Sequence, residues 1–285
     1  MKMLGETGLN STQGGVLLLG GFDGMHVGHR RLLERAKSLE IPVGIMTILG
    51  GKGDGLFTLK ERELFFTSLG IDFSFAFSFE DIRGLSSQEF LSFLEARFSP
   101  SAYICGDDFR FGKGAEGNAT LLKELASVPV FVEELYKVNG EKVSSGKVKE
   151  LLFKGEIESA NELLGREFFL VGEVETGRKI GRTMGFPTAN IRYPQGKFPL
   201  KQGVYETRVS VDGKIHAGIT NFGSRPTFDN DEVWTETHLK GFEGDLYGKT
   251  LCVSFVKFLR EIRKFDSADA LKNQLEEDLN NVGNN

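Results

Sequence analysis

The stretch Val16-Leu17-Leu18-Leu19-Gly20-Gly21-Phe22-Asp23-Gly24-Met25-His26-Val27-Gly28-His29 decides the first half of the fold. Four apolar residues in a row, too few for a helix, read as a strand buried on both faces. The glycines that follow let the backbone turn and come close to a ligand, and the residues after them open a helix whose free amide groups face an anion. Gly21, Phe22, Asp23, Gly24 and Gly28 are therefore the expected phosphate-binding positions. His26 and His29 are three residues apart and share one face of the first turn, where imidazole donors stabilise charge building on a leaving phosphate. A glycine-rich loop alone is as readily a plain turn with solvated histidines, and only its place directly after a strand favours the ligand reading.

Outward from that stretch, short apolar runs alternate with helical patterns. Strands are expected at Val16–Leu19, Val43–Ile48, Phe73–Phe79, Tyr103–Cys105 and Val128–Val132, with helices near 29–39, 59–69, 86–98 and 119–127. Such alternation predicts a parallel sheet of α/β type. Val143 to Gly165 reads as a helical pair broken around Lys154-Gly155-Glu156, with Ser144 and Ser145 as N-cap candidates and Gly165 as the stop.

After Gly165 the pattern changes to strands and turns: Phe168–Val174, Val204–Val211, Val233–Leu239 and Leu251–Phe258, with Val211-Asp212-Gly213-Lys214 as a hairpin signal. A small antiparallel barrel is predicted, closed by an amphipathic helix from about Ser267 to Leu279. The expected domains are 15–160 and 161–285. A chain of 285 residues is long enough for two cores.

Composition excludes some classes. A net charge of −5 disfavours nucleic acid as a partner, since no basic footprint exists. The run at Val16–Leu19 is too short for a signal segment or a membrane span, so a cytoplasmic protein without a membrane partner is expected. Two separated cysteines, Cys105 and Cys252, suggest neither a disulfide framework nor a zinc site and read as buried packing residues. A monomer or weak oligomer is expected.

Gly106-Asp107-Asp108-Phe109-Arg110-Phe111-Gly112 offers two aromatic faces, a cation and a glycine frame, which suits a planar ring. The bland alternative is a core phenylalanine pair with surface charges. Gly181-Arg182-Thr183-Met184-Gly185-Phe186-Pro187-Thr188-Ala189-Asn190-Ile191, read by itself, is a turn that starts a strand.

The strand-following His26-Val27-Gly28-His29 resembles the signature of nucleotidylyltransferases. The 106–112 segment resembles the motif of bacterial FMN adenylyltransferase domains, and the 181–191 segment that of riboflavin kinases. Gly203-Val204-Tyr205, Asn221-Phe222-Gly223-Ser224-Arg225-Pro226-Thr227-Phe228, Glu236-Thr237-His238-Leu239 and the segment from Phe242 to Gly248 follow in the kinase family's order. The chain as a whole resembles the prokaryotic bifunctional riboflavin kinase/FMN adenylyltransferases from about Val16 to Leu279. This resemblance implies an N-terminal Rossmann-like nucleotidylyltransferase domain and a C-terminal riboflavin kinase-like β-barrel.

It also implies two ATP- and Mg²⁺-dependent steps, riboflavin to FMN and FMN to FAD, with riboflavin, FMN and ATP as partners. By the same resemblance Asp108, Phe109, Arg110, Phe111 and Arg260 are flavin-binding, while Gly181, Arg182, Ser144, Ser145 and Lys149 bind phosphate. Thr188 and Asn190 hold the metal, for which their oxygens are suitably hard. Glu236 is the candidate general base.

Departures accompany the match. The family's Thr-Phe-x-Pro-His-Pro appears as Thr47-Ile48-Leu49-Gly50-Gly51-Lys52, and its Ser-Ser-Thr-x-Ile-Arg as Ser144-Ser145-Gly146-Lys147-Val148-Lys149. Lysine keeps the charge of arginine without its bidentate grip. A kinase whose first domain binds nucleotide without efficient transfer, and a flavin carrier, therefore stay open from sequence.

Overall fold

A computed structural model describes residues 5–8, 14–51, 53–138, 140–176, 188–226 and 231–283. The chain divides into two compact units: Met1–Lys147 with Gly196–Phe198, and Val148–Gln195 with Pro199–Asn285.

In the first unit, strands β1 (Gly5–Gly8), β2 (Val16–Leu19), β3 (Val43–Leu49), β4 (Phe73–Ser78), β5 (Ala102–Gly106), β6 (Arg110–Phe111), β7 (Gly117–Asn118), β8 (Val130–Glu133), β9 (Lys137–Val138) and β10 (Glu141–Lys142) follow one another. The main sheet has the order β1-β4-β3-β2-β5-β8 among the described residues. Its five strands from β4 to β8 run parallel, as the apolar runs predict, and β1 adds an antiparallel edge on β4. The polar N-terminal segment gave no sign of that edge, because strands of four residues carry little periodicity.

Strand β2 lies between β3 and β5, so the chain order reverses beside it. In open α/β sheets ligands bind outside the carboxyl ends of the strands at such a reversal. The helices are α1 (Arg30–Lys37), α2 (Leu59–Ser68), α3 (Phe79–Ile82), α4 (Ser87–Phe98) and α5 (Ala119–Leu125). Thr58 with Glu61, and Ser86 with Glu89, close reciprocal capping boxes that start α2 and α4. The core is rich in phenylalanine, with Phe75, Phe77, Phe98, Tyr103 and Leu94 fully enclosed.

Helices α6 (Ser145–Lys154) and α7 (Ile157–Leu164) form the expected pair, stopped by Gly165 at φ 69°. The second unit then builds a nearly closed barrel from β11 (Phe168–Glu173), β12 (Ala189–Arg192), β13 (Gly203–Val211), β14 (Lys214–Pro226), β15 (Asp231–Leu239) and β16 (Thr250–Arg260), in the order β11-β16-β13-β14-β15-β12. The edges meet where the Glu175 amide donates to the Asn190 carbonyl at 2.8 Å.

Asp212 (φ 49°) and Gly213 (φ 76°) make the two-residue β13–β14 turn, whose left-handed backbone fits the strand twist. Inside the barrel, Thr207, Thr220 and Thr237 form a hydroxyl ladder with 2.9 Å steps, which fixes the register of three strands. The terminal helix α8 (Ala268–Asn280) is N-capped by Ser267.

Candidate functional site

The loop after β2 is tightly made. Phe22 and Met25 take left-handed backbone conformations, φ 40° and 43°, and both side chains are buried. Non-glycine residues in that region cost roughly 1–3 kcal/mol each and persist where the surroundings over-determine them, as at ligand sites. The His26 ring is buried and stacks on His29 with centroids 3.8 Å apart, and Phe22 meets the edge of His29 at 5.0 Å. Both histidines therefore share one place, as their spacing predicts. Gly28 is needed there: a Cβ would come within 2.8 Å of His26 Nδ1 and 3.4 Å of the Val143 Cβ.

Val143 directly precedes Ser144, so the loop and the start of α6 converge. The Ser144 hydroxyl accepts from the Lys147 amide at 3.2 Å, as an N-cap does. Ser145 is half-buried in the first turn of α6, and Lys149 stands one turn further along the same helix.

A buried polar network that the sequence reading missed holds this loop from below. The Arg62 guanidinium, 3% exposed, donates to Asp23 Oδ1 at 2.7 Å, Thr47 Oγ1 at 2.8 Å, the Phe57 carbonyl at 3.0 Å and the Ile48 carbonyl at 3.1 Å. Asp23 also accepts from the Leu56 amide at 2.8 Å, and Thr47 donates to the Gly21 carbonyl at 3.0 Å. Burial pushes Arg62 below its ordinary range, opposed by the Asp23 and Glu61 carboxylates.

Glu61, the capping residue of α2, receives Lys197 Nζ at 2.6 Å, and neither side chain is exposed at all. Lys197 also donates to the Leu56 carbonyl at 3.2 Å. Thr58-x-x-Glu61 is a readable cap signal, but nothing in the sequence ties Lys197 to it across 136 positions.

The 106–112 segment is placed differently from the loop. Phe109 and Phe111 are buried in the core, stacked with centroids 5.5 Å apart, with Phe90 5.6 Å from Phe111. Arg110 is exposed, and Asp108 pairs with Lys142 at the surface.

In the second unit, antiparallel register aligns the motif residues across the sheet. Asn190 on β12 faces Glu236 on β15, and Glu236 faces Asn221 on β14. Asn221 in turn faces Val204 on β13, which faces Arg260 on β16. Residues directly opposite one another in a sheet point to the same face, about 5 Å apart. Their neighbours Thr220, Thr235 and Thr237 turn inward, so Asn190, Glu236 and Asn221 share the opposite face of the sheet, where Asn190 is buried and the other two are half-buried. Thr188 immediately precedes β12, and its carbonyl accepts from Asn190 Nδ2 at 3.2 Å.

Arg260 is held by Asp278 of α8 through bonds of 2.7 and 3.1 Å, which fasten the terminal helix to β16. Gly181 and Arg182 lie outside the described residues. Cys105 is fully buried as expected, with burial pushing its thiol up to about 12, whereas Cys252 is only half-buried.

A Mg²⁺ ion takes hard oxygen ligands and keeps several waters. The Thr188 hydroxyl and the Asn190 amide oxygen, beside the Glu236 carboxylate, are a donor set of that kind. Among the described residues, no cluster of three or more His, Cys, Asp or Glu side chains could hold a metal.

The family described as FAD synthetase matches residues 9–147, and that described as riboflavin kinase matches 164–285. A bifunctional riboflavin kinase/FMN adenylyltransferase from Haemophilus influenzae is 31% identical, covering 94% of this chain and 92% of its own. The protein of the same description from Escherichia coli is 33% identical, covering 93% and 91%.

A crystal structure described as a macrolide-efflux protein from Streptococcus pneumoniae superposes with a TM-score of 0.85 at 27% identity, covering 97% of this chain and 95% of that one. Among the described residues no helix is long and apolar enough to cross a membrane. The two family matches in their order, and relatives above 30% identity over nearly the whole length, show that this chain belongs to the bifunctional riboflavin kinase/FMN adenylyltransferase family.

Proposed function

We propose that this protein phosphorylates riboflavin to FMN in its second unit and adenylylates FMN to FAD in its first, using ATP and Mg²⁺ in both. The observation that carries the reading is the row Asn190–Glu236–Asn221, in which side-chain amides and a carboxylate stand opposite one another on paired strands, a set suited to a metal ligand and a base.

In the kinase step Glu236 takes the proton of the riboflavin primary hydroxyl as that oxygen attacks the γ-phosphorus. Thr188 and Asn190 would hold Mg²⁺, which when bound neutralises charge on the nucleotide oxygens. Gly181 and Arg182 are proposed to enclose the phosphates. Positioning supplies most of the rate in phosphoryl transfer, and strand register is a rigid way to achieve it. Arg260, already fixed to α8, lines the flavin end of the row.

In the adenylyl step the Gly21–Gly28 loop cradles the ATP phosphates, and His26 and His29 stabilise the departing pyrophosphate. Ser144, Ser145 and Lys149 add donors at the start of α6. Asp108 and Arg110, framed by the packed rings of Phe109 and Phe111, form the flavin side. On this reading the functional domains are 15–160 and 161–285, in a cytoplasmic protein that is a monomer or weak oligomer. Its partners are small molecules rather than nucleic acid or membrane.

The test is a time course of the purified protein with riboflavin, excess ATP and MgCl₂, with flavins separated chromatographically. FMN followed by FAD is the expected result. FMN alone restricts the protein to the kinase step, and no product overturns the enzyme reading.

A further inference from the structure

Asn221 carries an unanswered signal. Its Oδ1 atom exposes less than 1 Å² and has no hydrogen-bond partner. A buried acceptor left unmet costs free energy, and such an atom in a folded protein calls for an explanation. Asn221 cannot turn inward to find one: its neighbours Thr220 and Phe222 fill the barrel interior, and strand alternation sends Asn221 to the opposite face beside Glu236.

We propose that Asn221 is a specificity-determining residue for the kinase substrate, its Oδ1 accepting a hydrogen bond from a hydroxyl of the polyol chain next to the one that is phosphorylated. This rests on the reading of the second unit as the kinase. The row assigns the sides: Asn190 and Thr188, the metal oxygens, flank Glu236 on one side, and Asn221 flanks it on the other. The reacting hydroxyl must touch Glu236. The substrate behind that hydroxyl extends away from the nucleotide, along the row past Asn221 and Val204 toward Arg260.

A lone acceptor there selects a donor. Phosphate oxygens bring acceptors and the isoalloxazine face brings neither, whereas every carbon of a ribityl chain beyond the one bonded to the ring brings an O–H. A site built to bond a hydroxyl rejects an analogue that lacks it, because the buried protein group is then left unpaired.

The test uses the full-length protein, the variants Asn221→Ala and Asn221→Leu, and a series of riboflavin analogues each lacking one ribityl hydroxyl. Riboflavin binding is read by quenching of flavin fluorescence without ATP, and turnover by product formation. Both variants are expected to weaken riboflavin binding about tenfold, the size of one hydrogen bond, while KM for ATP and the Mg²⁺ requirement stay within about twofold. One deoxy analogue should bind the wild type as weakly as riboflavin binds Asn221→Ala, and lose nothing further on that variant.

Asn221→Leu should also raise the unfolding temperature of the ligand-free protein, since it removes an unmet acceptor without leaving a cavity. A raised Mg²⁺ requirement or ATP KM with unchanged riboflavin binding would assign Asn221 to the metal side and overturn the proposal, as would equal losses with every analogue. A wild type that makes no FMN would sink the kinase reading, and the binding titration would still decide the role of Asn221.

Discussion

Replacing Lys197 with methionine isolates the buried pair beneath the nucleotide loop. Lys197 and Glu61 meet at 2.6 Å with neither side chain exposed, so the substitution leaves a carboxylate in the interior without its cation. Breaking such a pair by removing one partner costs about 3–5 kcal/mol, because the desolvation of the remaining charge is no longer offset. For a unit of this size each kcal/mol moves the melting temperature by roughly 2–4 °C, so a fall on the order of 10 °C is expected.

Methionine fills a similar volume and can keep a contact with the Phe57 ring, which lies 4.6 Å from Lys197 Nζ, so little of the loss comes from packing. In Lys197→Met/Glu61→Gln the glutamine oxygen can still accept from the Thr58 amide, as Glu61 does at 2.8 Å, and neither position keeps a charge that has lost its partner. The double variant should recover to within about 1–2 kcal/mol of the wild type, roughly 2–3 kcal/mol more stable than Lys197→Met alone, because either single variant strands one buried charge. Urea denaturation followed by far-ultraviolet circular dichroism measures all four corners of the cycle. A single variant that costs under about 1 kcal/mol, or a double variant whose cost is the sum of the singles, would refute the reasoning.

Cys105 should resist alkylation by iodoacetamide at pH 8 in the folded protein while the half-buried Cys252 reacts first, as read by mass spectrometry of the digested protein. Because burial pushes the Cys105 thiol from its ordinary 9.0 up to about 12, the folded state holds its proton where the unfolded state loses it. Its contribution to stability is therefore complete below pH 9 and is lost as pH rises from there toward 12, which a series of denaturation curves would show. Lys149→Arg should restore a bidentate grip at α6 and raise the rate of FAD formation a few-fold with a lower KM for ATP; an unchanged rate would free Lys149 from that role.

How far the sequence could be read depended on the range of the interactions. The parallel sheet was legible because Val16–Leu19, Val43–Leu49 and Ala102–Gly106 are buried on both faces and so, Thr47 apart, carry no polar side chain. The Asp212-Gly213 turn and the Gly165 stop were legible because they rest on backbone conformations that few residues adopt. His26 and His29 were legible because three positions on one helical turn suffice to bring them together. The Asn190–Glu236–Asn221 row was not, since register between β12, β15 and β14 rests on the Thr207–Thr220–Thr237 ladder and on pairings between separate strands, Asn221 with Glu236 and the more distant Asn190 with Glu236.

The Arg62 and Lys197 network was hidden for the same reason. A charged residue in sequence looks like a surface residue until its burial is known. Strand β14 escaped because its alternation is interrupted by Gly218 and Gly223, which stand where neighbouring chains come close: a Cβ on Gly218 would meet the His238 carbonyl at 2.6 Å.

The central claim is that each unit carries one activity, and paired variants test it most directly. Glu236→Gln and His29→Ala are each supplied with riboflavin or with FMN, plus ATP and MgCl₂, and the flavin products are followed over time. Glu236→Gln should form FMN from riboflavin about 10²–10⁴-fold more slowly, yet convert supplied FMN to FAD at the wild-type rate. His29→Ala should do the reverse, making FMN normally while FAD formation falls by about 10²–10³-fold. Equal loss of both steps in either variant, or FAD formation untouched by His29→Ala, would contradict the account.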